Sequence, residues 1–367
     1  MPTATRINPL SFLTDQLDEL KAKGTHFKLR VLEDEQASVC TFDGKRVINL
    51  ASNNYLGFTT HPKLREAALE ATRKYGVGSG AVRTIAGTMK IHMELEEKIV
   101  RFKNVEACVV FQSGFTANAG TVSSFLSNAD FIISDELNHA SIIDGCRLSR
   151  AKILVFRHKD TAHAEEQLAS VKNQPGRKLL ITDGVFSMDG DIGPLPGLVE
   201  AAEKHGAIMM VDDAHASGVL GGYVCGSREL IEFLYHRARP FLFSTSHPPA
   251  VAASCMAAFD VLEQEPERIE RLWDNARYFK AGLVSAGFNT GISETPITPV
   301  IVGEAALAHQ LSRELFEEGV LATGIGFPTV AKGKARVRTI VSATHTREDL
   351  DKALEAFSKV GRRMGLI

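Results

Sequence analysis

Two strand-length apolar runs joined by a helix-spaced segment constrain this chain more than any other feature. The first, Lys178–Thr182, stops at Asp183-Gly184. Leu195, Leu198, Val199 and Ala202 then share one helical face over 195–205, and Gly206 supplies the stop. Ala207–Val211 is a second wholly apolar run, followed at once by Asp212, Asp213 and His215. Strands apolar on both faces and joined through a helix belong to a parallel sheet covered on both sides. Ligands of such sheets bind beyond the carboxyl ends of the strands, where Ser187, Asp212 and His215 stand.

The 367 residues suffice for one large core and a second, smaller one. A net charge of −2 offers no electrostatic case for nucleic acid or an anionic membrane as partner. The apolar runs are far shorter than a membrane span. The first residues carry no long apolar stretch and include Asp15, so they do not read as a secretory signal. Cys40, Cys108, Cys146, Cys225 and Cys255 are scattered without C-x-x-C spacing, which predicts reduced thiols in a cytoplasm and no metal site.

Along the chain, residues 11–23 read as a helix and 38–50 as a hairpin turning at Asp43-Gly44. Asn53 and Asn54 read equally as simple turn formers. A helix over 61–75 runs into the glycine-rich stretch 76–88. Strand–helix units then repeat from Ala107 to Val211: strands at 107–111, 131–134 and 153–156, helices from 114, over 141–150 and over 161–171. Asn138 and Ser141 are both candidate caps for the helix after His139. A short strand at 222–226 and a helix over 227–237 come next. A long helical stretch from 250 to 286 breaks near Gln264-Glu265-Pro266. The last hundred residues alternate strands and helices as a small α+β domain, its final helix opened by a Thr346/Asp349 capping box. The organisation predicted is an N-terminal segment (1–50), a large ligand-binding domain (51–265) and a small C-terminal domain (266–367).

Four separated groups fall at the ends of successive strands: Gly114-Phe115-Thr116, His139, Ser187, and Asp212 with His215. A helix N-terminus suits a phosphate, an imidazole can stack on an aromatic ring, and a carboxylate pairs with a pyridinium nitrogen. Together they describe a seat for pyridoxal 5'-phosphate (PLP). Taken singly, each reads equally as a capped turn or a satisfied polar group.

The motifs ASNNYLGF (51–58), SGAVRTIAGT (79–88), DELNHASIIDG (135–145), TDGVFSMDGD (182–191), VDDAHASGVLG (211–221), RPFLFSTSHPPA (239–250) and ARVRTIVSATH (335–345) together resemble the α-oxoamine synthases. These are fold-type-I PLP-dependent transferases that join an amino acid to an acyl-CoA. The resemblance spans nearly the whole chain and leans, through VRTIAGT (82–88), to the glycine C-acetyltransferase branch. It implies a mostly parallel sheet flanked by helices, with a smaller α+β domain, and a cytoplasmic homodimer with shared active sites. The implied reaction is condensation of glycine with acetyl-CoA to 2-amino-3-oxobutyrate; the alternative is L-alanine with pimeloyl-CoA to 8-amino-7-oxononanoate. Residue by residue, it implies phosphate binding by Gly114 and Phe115, with Ser244 and Thr245 of the other subunit. His139 is implied to stack on the ring, Asp212 to pair with its nitrogen and His215 with its phenolic oxygen. Asn53, Ser187 and Arg338 are implied around the amino acid. Either Arg336 or Arg338 could fork onto its carboxylate by position; the motif selects Arg338.

One departure stands out. Where the family carries a further strand and a T-(L/F)-(S/G)-K motif with the Schiff-base lysine, Gly221 here meets Gly222-Tyr223 directly. Lys332 and Lys334 lie in a basic loop and do not replace that lysine. Two expectations follow. Either a further segment belongs between Gly221 and Gly222 and orders on cofactor binding, or the segment is deleted and the chain is a family member without turnover.

Overall fold

The computed structural model describes residues 8–217 and 221–367; Gly218, Val219 and Leu220, the end of the VDDAHASGVLG motif, lie outside it. The chain divides into two compact units. One holds the N-terminal residues to Thr60, Met188–Gly190 and Glu267–Ile367; the other holds His61–Ser187 and Asp191–Pro266. The N-terminal segment thus belongs to the same unit as the C-terminal residues.

In the first unit, helix α1 (Phe12–Ala22) precedes a hairpin of β1 (Val39–Phe42) and β2 (Lys45–Asn49). Asp43 and Gly44 both have positive φ, 49° and 74°, as the tight two-residue turn requires. Val320–Leu321 adds a parallel strand beside β2. Ala335–Ile340 is the centre of an antiparallel sheet, between Ile297–Gly303 and Thr323–Ile325. Helix Arg347–Arg363 covers the core through Leu350, Ala353, Phe357 and Val360, and Thr346 and Asp349 cap it reciprocally.

The second unit starts with α2 (Pro62–Tyr75) and α3 (Lys90–Lys103). Strand β3 (Ala107–Phe111) leads to α4 (Gly114–Phe125), β4 (Phe131–Asp135) to α5 (Ala140–Ser149), and β5 (Lys152–Phe156) to α6 (Thr161–Ser170). After β6 (Lys178–Asp183) comes a small hairpin, β7 (Val185–Phe186) with β8 (Asp191–Ile192). Then come α7 (Leu195–His205), β9 (Ile208–Asp212) and β10 (Gly222–Gly226). The four strands β5-β4-β6-β9 are all parallel in that order. Alternation along each strand divides the core between two faces. Ile132, Leu179 and Ile181 pack on α4 and α5 through Val122, Leu126, Ile142 and Cys146. Ile133, Phe156 and Leu180 pack on α6 and α7 through Ala164, Leu168, Leu198 and Ala202. Each such buried Leu, Ile or Phe contributes roughly 1.5–3 kcal/mol. This is the doubly covered α/β sheet that the apolar runs predict.

Strand β9 departs from expectation. Its run is as apolar as that of β6, yet Ile208 is 44% exposed and Met209, Met210 and Val211 are only half-buried. Among the described residues β9 pairs with β6 alone, and β10 pairs antiparallel with β3 alone. The sheet is therefore in two pieces, and the direct Gly221–Gly222 link supplies no strand between them. Helices Pro249–Gln264 and Glu267–Ser285 close the chain's middle, broken where Gln264-Glu265-Pro266 predicts.

Candidate active site

The carboxyl ends of β4, β6 and β9 bring His139, Asp183 and Asp212 into one hydrogen-bonded group. Asn118, buried in α4, donates to Ser141 Oγ at 2.9 Å and to Asp212 Oδ2 at 2.6 Å. Ser141 Oγ is 2.7 Å from His139 Nδ1, and the Ser141 N–H also donates to that nitrogen. Because Nδ1 accepts the Ser141 N–H, it carries no proton; the Ser141 hydroxyl donates to it as well, and the ring proton belongs on Nε2. Asp212 Oδ1 accepts the Ala214 N–H at 2.9 Å, so both carboxylate oxygens are oriented. The helix cap is His139 itself rather than Asn138 or Ser141. Asn138 is buried and stitches the strands, donating to Ser134 Oγ and Ile181 O and accepting from the Asp183 N–H.

Asp183 accepts the His139 N–H at 2.7 Å. Burial, and then the charge of Asp212, push its carboxyl up to about 8, against the pull of that hydrogen bond. Asp213 turns away from this group, as its place next to Asp212 predicts, and pairs with Lys103. His215 is half-buried in the short turn after Asp212, and Ser187 is half-buried between β7 and β8.

Ser113 caps α4 through a reciprocal pair with Thr116, and its carbonyl accepts the Ala117 N–H. This leaves the N–H groups of Gly114 and Phe115 at the helix terminus. A Cβ on Gly114 would meet nothing within 4 Å, whereas one on Gly222 would collide with Ser113 C at 2.3 Å. Gly222 thus lies directly against the Ser113–Gly114 backbone. Gln112 donates from Nε2 to Thr245 O at 2.7 Å, so Ser244 and Thr245 of this same chain lie next to the turn. Gln112 Oε1 is buried with no hydrogen-bond partner among the described residues. Open space at a helix N-terminus and an oriented carboxylate fit the phosphate and ring ends of PLP. The covalent anchor is not among the chain's residues; Lys332 and Lys334 are exposed, Lys332 resting over the Phe327 ring.

The other unit carries Asn53, exposed, and Arg338, half-buried on Ala335–Ile340. Burial holds the Arg338 guanidinium below its ordinary range, opposed by Tyr55. Arg336, the positional alternative, donates to Asp189 Oδ1 at 2.5 Å and Met188 O at 2.9 Å and is buried there. That structural task separates the two arginines.

A second polar group escaped sequence reasoning altogether. His158 bridges Asp135 Oδ1 at 3.0 Å and Asp191 Oδ2 at 2.9 Å. Burial alone would lower the imidazole, but the two carboxylates outweigh it and raise it to about 9. The bridge ties β8, and with it the hairpin bearing Ser187, to the end of β4. Its members are far apart in sequence. Asn118 was also missed, though an asparagine on the buried side of a small-residue helix is a usable signal.

In the stretch VRTIAGT, which inclines the sequence reading to glycine, Arg83 and Gly87 are buried while Thr84, Ile85, Ala86 and Thr88 are exposed. Arg83 donates to both oxygens of Glu96 at 2.8 and 3.1 Å, and the two side chains are about 5% exposed. Glu96 also accepts the Val110 N–H. Arg83 thus anchors this turn to α3 and β3.

Among the described residues no group of three His, Cys, Asp or Glu could hold a metal, and no helix is long and apolar enough to cross a membrane.

The family model for aminotransferase class I and II matches residues 45–222 and 216–357, two stretches that meet at the Gly221–Gly222 link. The 8-amino-7-oxononanoate synthase of Symbiobacterium thermophilum is 57% identical, covering 97% of this chain and 99% of that protein. 8-Amino-7-oxononanoate synthase 1 of Bacillus subtilis is 50% identical, covering 97% and 98%. A serine palmitoyltransferase of S. paucimobilis, with a lysine replaced by alanine and PLP and myriocin bound, has a TM-score of 0.91. It is 29% identical, covering 98% of this chain and all of that one. The Symbiobacterium alignment runs over 387 positions, but 97% of 367 residues is about 356, so about 31 positions have no counterpart here. The names of these relatives overturn the expected condensation of glycine with acetyl-CoA and the glycine C-acetyltransferase branch. The chain belongs to the aminotransferase class I and II family, in its α-oxoamine synthase branch of PLP-dependent, fold-type-I acyltransferases.

Proposed function

We propose that the substrate pair is L-alanine and pimeloyl-CoA, giving 8-amino-7-oxononanoate. The observation that carries this is the 50–57% identity, over nearly full length, to proteins of that name. Carbon balance requires that the alanine carboxylate leave as carbon dioxide while CoA leaves as the thiol. PLP, when bound, supplies the electron sink for the carbanion at the amino acid α-carbon. The N–H groups of Gly114 and Phe115 hold its phosphate in a homodimer, with Ser244 and Thr245, which lie beside that turn within the chain, next to it. His139 stacks on the ring with its Nδ1 fixed by Ser141, and Asp212 holds a proton on the ring nitrogen. His215 faces the phenolic oxygen, while Arg338, Asn53 and Ser187 receive the amino acid. The setting is the cytoplasm.

A second reading rests on the Gly221–Gly222 link: a chain without the lysine segment that holds cofactor and amino acid but does not complete transfer. The similar serine palmitoyltransferase with a lysine replaced by alanine holds PLP as an aldimine with myriocin, which supports this reading. The test is CoA release from the PLP-saturated protein with L-alanine plus pimeloyl-CoA and with glycine plus acetyl-CoA. Release with the first pair supports the assignment. No release, with L-alanine still altering the bound cofactor's absorbance, supports the second reading. Preference for glycine and acetyl-CoA overturns both.

A further inference from the structure

Among the described residues strand β10 pairs with β3 alone, and that pairing carries a matched pair of thiols. Cys225 and Cys108 are direct partners in the antiparallel register of β10 and β3. Residues so opposed have Cα atoms about 4.5–5.5 Å apart, inside the roughly 4.4–6.8 Å range that a disulfide spans. Both side chains belong to the same apolar cluster between β3, α3 and helix Pro249–Gln264. Register and shared face place the two sulfurs on one side of the ribbon, and the thiols are hydrogen-bonded to each other. The remaining cysteines, Cys40, Cys146 and Cys255, are buried.

We propose that Cys108 and Cys225 form a dithiol–disulfide couple that a peroxide closes, tying β10 covalently to β3. Cys225 is the entry point, since it is half-buried while Cys108 is buried. Its environment also favours the thiolate. The Cys108 hydrogen bond and then the Lys103 ammonium lower it, against burial and Asp213. Cys108 holds its proton, raised by the bond to Cys225 and by burial. The Cys225 thiolate attacks hydrogen peroxide, giving sulfenic acid and hydroxide. Cys108 sulfur then attacks the Cys225 sulfur, and water leaves with the proton Cys108 gives up. Two thiols are oxidised and one peroxide is reduced to two waters. The bond sits three residues from Gly222, which packs on the Ser113–Gly114 turn, so closure fixes β10 where it covers that turn.

The test treats the reduced full chain with hydrogen peroxide, then alkylates under denaturing conditions and maps peptides by mass spectrometry. The expected result is loss of two of the five thiols, a linked pair of peptides containing Cys108 and Cys225, and full recovery with dithiothreitol. In Cys108→Ser, a sulfenic-acid probe should label Cys225 without any linked species. In Cys225→Ser, all four remaining thiols should survive the same dose. Should either variant fail to fold, the wild-type peptide map decides alone. Five intact thiols after oxidation, or linkage of a different pair, would overturn the proposal.

Discussion

Asp183 and Asp212 face each other in the parallel register of β6 and β9, two carboxylates on the rim of one sheet. They are not equivalent. Asp212 is only half-buried and is oriented by Asn118 and Ala214, whereas Asp183 is buried and accepts the backbone N–H of His139. Asp183, raised to about 8, therefore carries a proton at neutral pH that the unfolded chain would have released near pH 4. The native state binds more protons than the unfolded state between these values, so this residue lowers stability as pH rises from about 4 through 8. Asp183→Asn should remove that slope, which cannot exceed about 1.4 kcal/mol per pH unit. Urea midpoints at pH 5, 7 and 9 check it: the variant should gain on the wild type as pH rises, and parallel curves would refute the assignment.

The His158 bridge should have the opposite dependence on pH. Its imidazole is raised from near 6.5 to about 9 in the folded state. Its stabilising contribution is complete below about pH 6.5 and disappears as pH climbs through 9. His158→Ala leaves Asp135 and Asp191 facing each other with Lys159 alone beside Asp191, at a cost of about 3–5 kcal/mol near neutral pH. Hydrogen exchange should show faster opening of residues 185–192 in the variant. Unchanged exchange there would mean that the bridge does not hold the Ser187 hairpin.

Removing half of the Arg83–Glu96 pair should be worse than removing all of it. Glu96→Ala strands a buried guanidinium and the Val110 N–H, costing about 3–5 kcal/mol. The apolar double variant Arg83→Met with Glu96→Leu should recover much of that loss. Thermal unfolding of the three proteins decides, and a double variant as unstable as the single one would contradict this account.

Asn118 should matter to cofactor affinity without touching the cofactor's reactive atoms. Asn118→Ala removes the donor shared by Ser141 and Asp212 and leaves the Asp212 carboxylate less firmly oriented. A loss of about tenfold in PLP affinity, roughly 1.4 kcal/mol, is expected by equilibrium dialysis. Asp212→Ala should lose more. Equal affinity in all three proteins would remove Asp212 from the cofactor site.

On the reading without turnover, the Gly221–Gly222 link predicts that PLP is held without a covalent bond to the protein. Dialysis should remove it fully, before and after borohydride treatment. Cofactor that remains attached after borohydride, at any lysine, would overturn this expectation.

Much of the fold was legible because its signals are local. Asp43-Gly44 fixes a hairpin by its own backbone preference, Gly206 and Thr346/Asp349 mark helix ends, and the apolar runs at 178–182 and 207–211 demand a covered parallel sheet. The gathering of His139 and Asp212 at the strand ends follows from that topology, since every parallel strand delivers its following turn to the same rim. Tertiary structure decided what depends on partners distant in sequence. His158 holds its charge at neutral pH only because Asp135 and Asp191 converge on it from the ends of β4 and β8, and Arg83 becomes structural only because Glu96 lies buried opposite it. The half-exposed β9 shows the same limit from the other side. Its residues prescribe burial on both faces, but burial is a property of neighbours, and the strand that would complete the sheet is not supplied between Gly221 and Gly222.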